Sequence, residues 1–170
     1  SGGEGQHPIQ EAISLSWELL RPWEKTALLQ LSVFDGGFLM DAAEAVVDLS
    51  GCERPRWIME VVGVLLDHSL LHAEVHNGEA RFAMLDSVRS FARARFQENE
   101  RRSAERRHAR HYAKWALSPK PAPRFDWAEY WQQREREAGN FLAAMRASNR
   151  NRWSLLTAQN GICLARCWQV

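Results

Sequence analysis

Residues 71–84 read Leu71-His72-Ala73-Glu74-Val75-His76-Asn77-Gly78-Glu79-Ala80-Arg81-Phe82-Ala83-Met84. Asn77-Gly78 separates two alternating runs, Leu71–His76 and Glu79–Met84, and both turn residues tolerate positive φ. The stretch therefore predicts a β-hairpin, and a two-residue turn fixes its register. His76 should face Glu79, Val75 Ala80, Glu74 Arg81, Ala73 Phe82 and Leu71 Met84. The apolar pairs then share one face. Glu74 and Arg81 become an opposite-charge pair on the other, a contribution of about 0.2–1 kcal/mol.

Upstream of the hairpin the periodicity is helical. Ile9, Ala12, Ile13, Trp17 and Leu20 predict a first helix over 9–20, after a disordered leader at 1–8. Pro22 suits the first position of a second helix, because its missing N–H is not needed there. That helix carries Trp23, Ala27, Leu28, Leu31 and Phe34 inward until Gly36-Gly37 stops it. Asp41 and Glu44 have capping-box spacing and open a third helix at 42–49. A fourth, over about 56–67, is so apolar (Trp57, Ile58, Val61, Val62, Leu65, Leu66) that other elements should enclose it. His68 follows it as a partner for the helix C-terminus.

Downstream, Val88, Phe91, Ala92 and Phe96 predict a fifth helix at 86–98. The remainder reads as helix. Ala109, Tyr112, Ala113 and Ala116 make one stripe, which Ser118-Pro119, Pro121 and Pro123 break. Trp127, Tyr130, Trp131, Ala138, Phe141, Leu142 and Met145 make another, Ser148–Arg152 a turn, and 153–168 a last helix with Leu156, Cys163, Leu164, Cys167 and Trp168. That helix reaches Val170 with no stop signal, as expected of a piece cut from a longer chain. Its apolar end, Leu164 and Trp168, offers a surface for pairing with a second copy.

Four helices, a two-stranded ribbon and a return helix are the plan of a winged helix. The expected fold is mainly α: a winged-helix domain at 9–98, then antiparallel helical hairpins at 99–170 resembling the start of a tetratricopeptide array.

The composition fits such a chain. Its 170 residues are 45% hydrophobic and 25% charged, so a core can form. No run of about 18 apolar residues predicts a membrane span. Three Cys at unrelated spacings suggest no disulfide framework, and the default compartment is the cytoplasm. The net charge of +1 hides a split. Residues 1–92 carry 6 Lys/Arg against 14 Asp/Glu, a net −8, whereas 93–170 carry 16 against 7, a net +9.

Catalytic and metal signatures do not emerge. The sequence has no phosphate-binding loop, dinucleotide fingerprint or nucleophile elbow. Cys163 and Cys167 share a helix face without a zinc-like second pair, and Cys52 stands alone in a loop. The chain is thus expected to be non-enzymatic, with no cofactor or metal of its own.

Six runs occur in order: ISLSWELL (13–20), LLQLSVFDGGFLMDAAEAV (28–46), LLDHSLL (65–71), RFAMLDSVRSFA (81–92), RRHARHYA (106–113) and EAGNFLAAM (137–145). Together they resemble the region after the nucleotide-binding core in bacterial regulatory ATPases of the NB-ARC/STAND class, including LuxR-like and AfsR/SARP-like regulators. The resemblance implies a winged helix leading into tetratricopeptide-like repeats, with Glu137, Asn140, Phe141 and Ala144 at their start. It implies partners in the chain's own N-terminal nucleotide-binding domain and downstream repeats, with ADP or ATP bound outside this segment. It also places Met84-Leu85-Asp86 where relatives carry a Met-His-Asp signature whose His contacts the β-phosphate of ADP. Leu85 has no donor for a phosphate, and Asp86 is expected to cap the fifth helix.

Nucleic-acid binding is the competing expectation. The helix before the wing, RWIMEVVGVLLDH, offers one Arg and then apolar or acidic residues, so direct DNA reading by the winged helix is not expected. A basic patch of Arg93, Arg95, Arg101, Arg102, Arg106, Arg107, Arg110 and Lys114 could grip phosphates. The preferred reading is a solvated helix face, partly neutralised by pairs such as Arg101–Glu105, and a third is a surface held by the acidic first half of the same chain.

Overall fold

The computed structural model describes residues 6–52, 57–76, 78–117, 132 and 134–167. The leader residues 1–5, Pro55, Arg56, Asn77, the proline-containing segment with Trp127, Tyr130 and Trp131, and Trp168 lie outside the described residues. So do the side chains of Ala116, Cys163, Leu164 and Cys167.

The elements run α1 (Gln6–Leu19), α2 (Pro22–Leu31), α3 (Met40–Val46), α4 (Ile58–Asp67), β1 (His72–His76), β2 (Glu79–Ala83), α5 (Asp86–Arg95), α6 (Glu98–Leu117), α7 (Ala138–Arg150) and α8 (Ser154–Cys167). Most residues are helical, and the strands pair antiparallel in the predicted register: Ala73 with Phe82, Glu74 with Arg81, Val75 with Ala80, His76 with Glu79. Gly78 holds φ +81 at the turn, a value glycine tolerates best. The hairpin's apolar face is buried only at its base. Leu71, Phe82 and Met84 are buried, whereas Val75, near the tip, is 74% exposed.

A third backbone segment joins the ribbon. Phe38 exchanges two hydrogen bonds with Phe82, N to O at 2.8 Å and 2.9 Å. Gly36 and Gly37, at φ +85 and +94, turn the chain into this bridge. A Cβ on Gly37 would lie 2.9 Å from the Phe82 carbonyl oxygen, so both conformation and space demand glycine there.

The bridge explains why two helix boundaries depart from the periodicity. α2 ends at Leu31, four residues before the glycine pair, and Ser32 caps it with its hydroxyl donated to the Leu29 carbonyl at 2.6 Å. α3 begins at Met40, directly after the bridged Phe38, so Leu39 takes the N-cap position. The expected Asp41–Glu44 capping box therefore does not form. Asp41 lies inside the first turn, its carboxylate accepting from the Ala42 N–H at 2.8 Å. Glu24 takes the box-like role instead, one helix earlier, by accepting the Arg21 N–H at 2.7 Å.

α4 and α7 end alike. After α4, His68 is the C-cap, Ser69 holds φ +57, and Leu70 donates its N–H to the Leu65 carbonyl. After α7, Arg152 holds φ +59, and Trp153 donates to the Ser148 carbonyl. Both are Schellman closures with a non-glycine residue in the left-handed position. The expected turn at 148–152 accordingly shrinks to 151–152, with Ser148 inside α7 and fully buried.

One apolar cluster runs through the chain. It holds Leu28, Leu31, Phe38, Val46, Val62, Leu65, Leu70 and Ala92, and continues through Ala104, Ala109 and Tyr112 to Phe141 and Ala144. α1 packs on α5, with Trp17 edge-on to Phe91 at 5.8 Å. α6 is the spine, set against α2 and α3 on one side and α7 and α8 on the other.

Candidate functional site

A buried polar node joins the wing to the helices that follow. Glu137, 2% exposed, accepts from the guanidinium of Arg81 on β2, from the Tyr112 hydroxyl of α6 at 2.7 Å and from Asn140 Nδ2 at 2.7 Å. Asn140, fully buried, also donates to the Gly37 carbonyl at 2.7 Å, and its side-chain oxygen accepts from the Asp35 N–H at 2.8 Å. Gly139 lets α7 approach closely, since a Cβ there would fall 2.8 Å from the Asp35 carbonyl oxygen. Burial and the adjoining Glu137 push the Tyr112 hydroxyl pKa well above its ordinary value, so the phenol stays a donor.

Arg81 is thereby diverted from the expected cross-strand pair with Glu74. Its guanidinium serves Glu137 and the carbonyls of Gly36, Gly37 and Arg136. Several fixed acceptors inside the fold outweigh one exposed carboxylate in water. The node was missed by sequence reasoning, although its signal was present. Glu137, Asn140, Phe141, Ala144 and Ser148 follow one helical stripe, so the polar members share the buried face.

The helix before the wing presents an apolar and acidic face. Trp57 and Met59 are 79% and 63% exposed, Glu60 and Asp67 are exposed beside them, and the span 58–67 contains no Lys or Arg. The wing adds exposed Glu74, Val75 and Glu79. A cleft along this face is lined by Leu19, Arg21, Trp23, Glu60, Val64 and His68.

Met84, Leu85 and Asp86 diverge. Met84 is buried, with its carbonyl accepting from Arg89, and Leu85 is 57% exposed at the N-cap of α5. Asp86 does not cap α5. It stands one residue inside the helix and pairs with Arg89 at 2.9 Å. It still favours the helix N-terminus electrostatically.

The eight basic residues are used unevenly. Arg93 donates to the Ser32 carbonyl at 2.9 Å. Arg107 donates to the Val46 carbonyl at 2.6 Å and to Gln30 at 2.8 Å, and lies 3.8 Å from Asp48. Hydrogen bonds from Ser50, then desolvation working against them, and lastly Arg107 leave the Asp48 carboxyl pKa lowered. Arg101 pairs with Glu98 and Glu105, and Arg95 lies over the Phe91 ring at 3.5 Å. Arg106 stands 6.0 Å from the Trp153 ring. Arg102, Arg110 and Lys114 are exposed. Part of the patch is thus held by the acidic first half of the chain.

Among the described residues, no group of three or more His, Cys, Asp or Glu side chains is placed to hold a metal ion. No described helix is long and apolar enough to cross a membrane.

Three helices leading to a bridged hairpin and a return helix define a domain boundary that known proteins share. Residues 20–97 match the winged helix-turn-helix domain family. Over 146 residues the chain is 27% identical to candidate HTH-type transcriptional regulators of Mycobacterium bovis and of two Mycobacterium tuberculosis strains. These matches cover 86% of this chain and 16% of each relative, so the chain spans about one sixth of their length. No solved structure matches it significantly.

Proposed function

We propose that this chain is a non-enzymatic module of a longer transcriptional regulator, in which the winged helix docks on protein and passes a conformational signal to the helices behind it. The winged-helix match and the names of the relatives support the regulator part. The docking part rests on one observation: the helix that would enter a major groove exposes Trp57, Met59, Glu60 and Asp67. Duplex binding requires neutralised phosphates and donors at base edges, and the residues of α4 supply neither. Exposed aromatic and Met side chains beside carboxylates suit a partner surface that is apolar with a basic rim. The resemblance to NB-ARC/STAND regulators gives that partner a candidate, a nucleotide-binding domain of the same polypeptide. The node at Glu137 then fixes the wing to α7, so a shift of one moves the other.

A second reading keeps nucleic acid as the ligand, with the contact on α6. Exposed Arg102, Arg106 and Arg110 favour it, as does the family match. Anisotropy titration of the 170-residue chain with duplex DNA at low and moderate salt separates the two. The docking reading expects binding no tighter than the nonspecific range of roughly 10⁻⁴ to 10⁻⁶ M. Tighter, salt-steep binding that an Arg102→Ala, Arg106→Ala, Arg110→Ala variant abolishes would replace it with the second.

A further inference from the structure

A concave cleft of about 180 Å³ opens where the winged helix meets the helical module. Four guanidinium groups from three elements border it: Arg93 of α5, Arg101 of α6, and Arg146 and Arg150 of α7. Two carboxylates, Asp35 and Glu105, share the lining, so its formal charge is +2. Both acids are already engaged. Asp35 lies 3.3 Å from Arg89, and Glu105 takes Arg150 at 2.6 Å and Arg101 at 3.6 Å. Arg146 is exposed and has no acidic partner among the described residues.

A second, independent feature marks the same place. His108 lines the cleft, is 1% exposed, and its Nε2 has no hydrogen-bond partner among the described residues. A buried imidazole nitrogen left without a partner is costly and calls for a reason, a bound ion or solute among them. Burial also keeps this imidazole neutral, and with Nδ1–H directed to the Asn140 side-chain oxygen, Nε2 is left as an acceptor that can take a hydrogen bond from a protonated phosphate oxygen.

We propose that this cleft binds a small phosphate-bearing solute, with Arg93 and Arg146 on its oxygens and His108 Nε2 accepting a hydrogen bond from a P–OH at the floor. A phosphate dianion matches the +2 lining, and guanidinium forks match its oxygens in pairs. The cleft has room for a solute the size of one phosphoryl group. Because the walls come from α5, α6 and α7, the solute would brace the winged helix against the helical module. It would stabilise the arrangement described here over any in which the two separate.

The test is calorimetric titration of the 170-residue chain with inorganic phosphate and with phenyl phosphate, at ionic strength held constant with sodium chloride. Thermal denaturation runs in parallel. Saturable binding of either ligand is expected, together with a shift of the His108 ring resonance in NMR spectra. Arg146→Ala, at an exposed position with no ion-pair partner among the described residues, should keep the fold and weaken binding by about tenfold or more, the usual effect of losing a charge-assisted hydrogen bond. Arg102→Ala, outside the cleft, should leave binding unchanged. Nonspecific stabilisation by exclusion of phosphate from the protein surface would raise the melting temperature of wild type and Arg146→Ala equally, and that result would overturn the proposal. So would absence of heat with both ligands, or displacement of phosphate by duplex DNA.

Discussion

His108 shows how one residue can set the behaviour of its surroundings. It lies edge-on to Phe34 at 4.9 Å and against Tyr112 at 4.7 Å, at the meeting point of α2's extension and α6. Burial lowers its pKa from 6.5 to about 3, with His111 and Arg93 pushing the same way and a hydrogen bond with Asn140 opposing. The folded state therefore keeps the imidazole neutral where the unfolded chain would protonate it. Between about pH 6.5 and 3 the unfolded state binds more protons, so stability rises with pH and is lost as pH falls through that window. The slope from one such group approaches about 1.4 kcal/mol per pH unit. Burial lowers the His111 pKa too, which steepens the trend. Urea denaturation between about pH 6.5 and 5, above the ordinary carboxylate range, should show this slope in wild type and a shallower one in His108→Gln. Equal slopes would mean that His108 is protonated in the fold.

At the scale of elements, what could be read in advance was whatever local chemistry decides. The hairpin register follows from Asn77-Gly78 and strict alternation, and four of the five expected pairs are formed, Leu71 and Met84 lying just outside the paired strands. Ala27, Leu28, Leu31 and Phe34 are buried as their spacing requires, even though the helix stops before Phe34. Helix starts were misjudged where a distant contact moved them. Asp41 looks like a cap in the sequence, but Phe38 is pinned to Phe82 and α3 begins at Met40, before its acid; α5 begins at Asp86 as expected, with Leu85 and not Asp86 at its N-cap. Arg81 is the sharpest case. Its adjacent cross-strand neighbour is Glu74, yet its ion pair is with a residue 56 positions away, which no local pattern encodes. That pairing predicts a measurable coupling. Removing one partner of a buried pair costs about 3–5 kcal/mol, whereas exposed pairs contribute at most about 1 kcal/mol. In a double-mutant cycle with Arg81→Met and Glu137→Gln, the double variant should lose less than the sum of the singles by about 1 kcal/mol or more. Additivity within about 0.5 kcal/mol would show that Arg81 is solvated and the wing is not fastened to α7 through it.

For the molecule as a whole, the charge split and the winged-helix boundary suggested two modules, and residues 20–97 do match a domain family by themselves. The packing argues for mechanical unity across that boundary. Phe34 stacks on Phe38 at 4.6 Å and meets Tyr112 edge-on at 6.5 Å, while Tyr112 meets Phe141 at 5.2 Å. Aromatic contacts thus run without a gap from the bridge strand to α7. Alongside them, Arg107 and Arg93 reach from the basic half to carbonyls of the acidic half, using part of the charge asymmetry as an internal seam. A boundary crossed by a continuous core and a satisfied polar network should unfold in one step, because neither side keeps its buried groups covered alone. Far-ultraviolet circular dichroism, which follows the helices, and hydrogen exchange at Glu74 and Phe82 in the wing should give coincident transitions. Phe141→Ala, deep in the helical module, should destabilise by about 3–5 kcal/mol and lower wing protection by the same free energy. If the variant melted α7 and α8 while Phe82 kept its wild-type protection, the two halves would be separate cooperative units. The winged helix could then no longer transmit a displacement through the Glu137 node, and the relay would lose its physical basis.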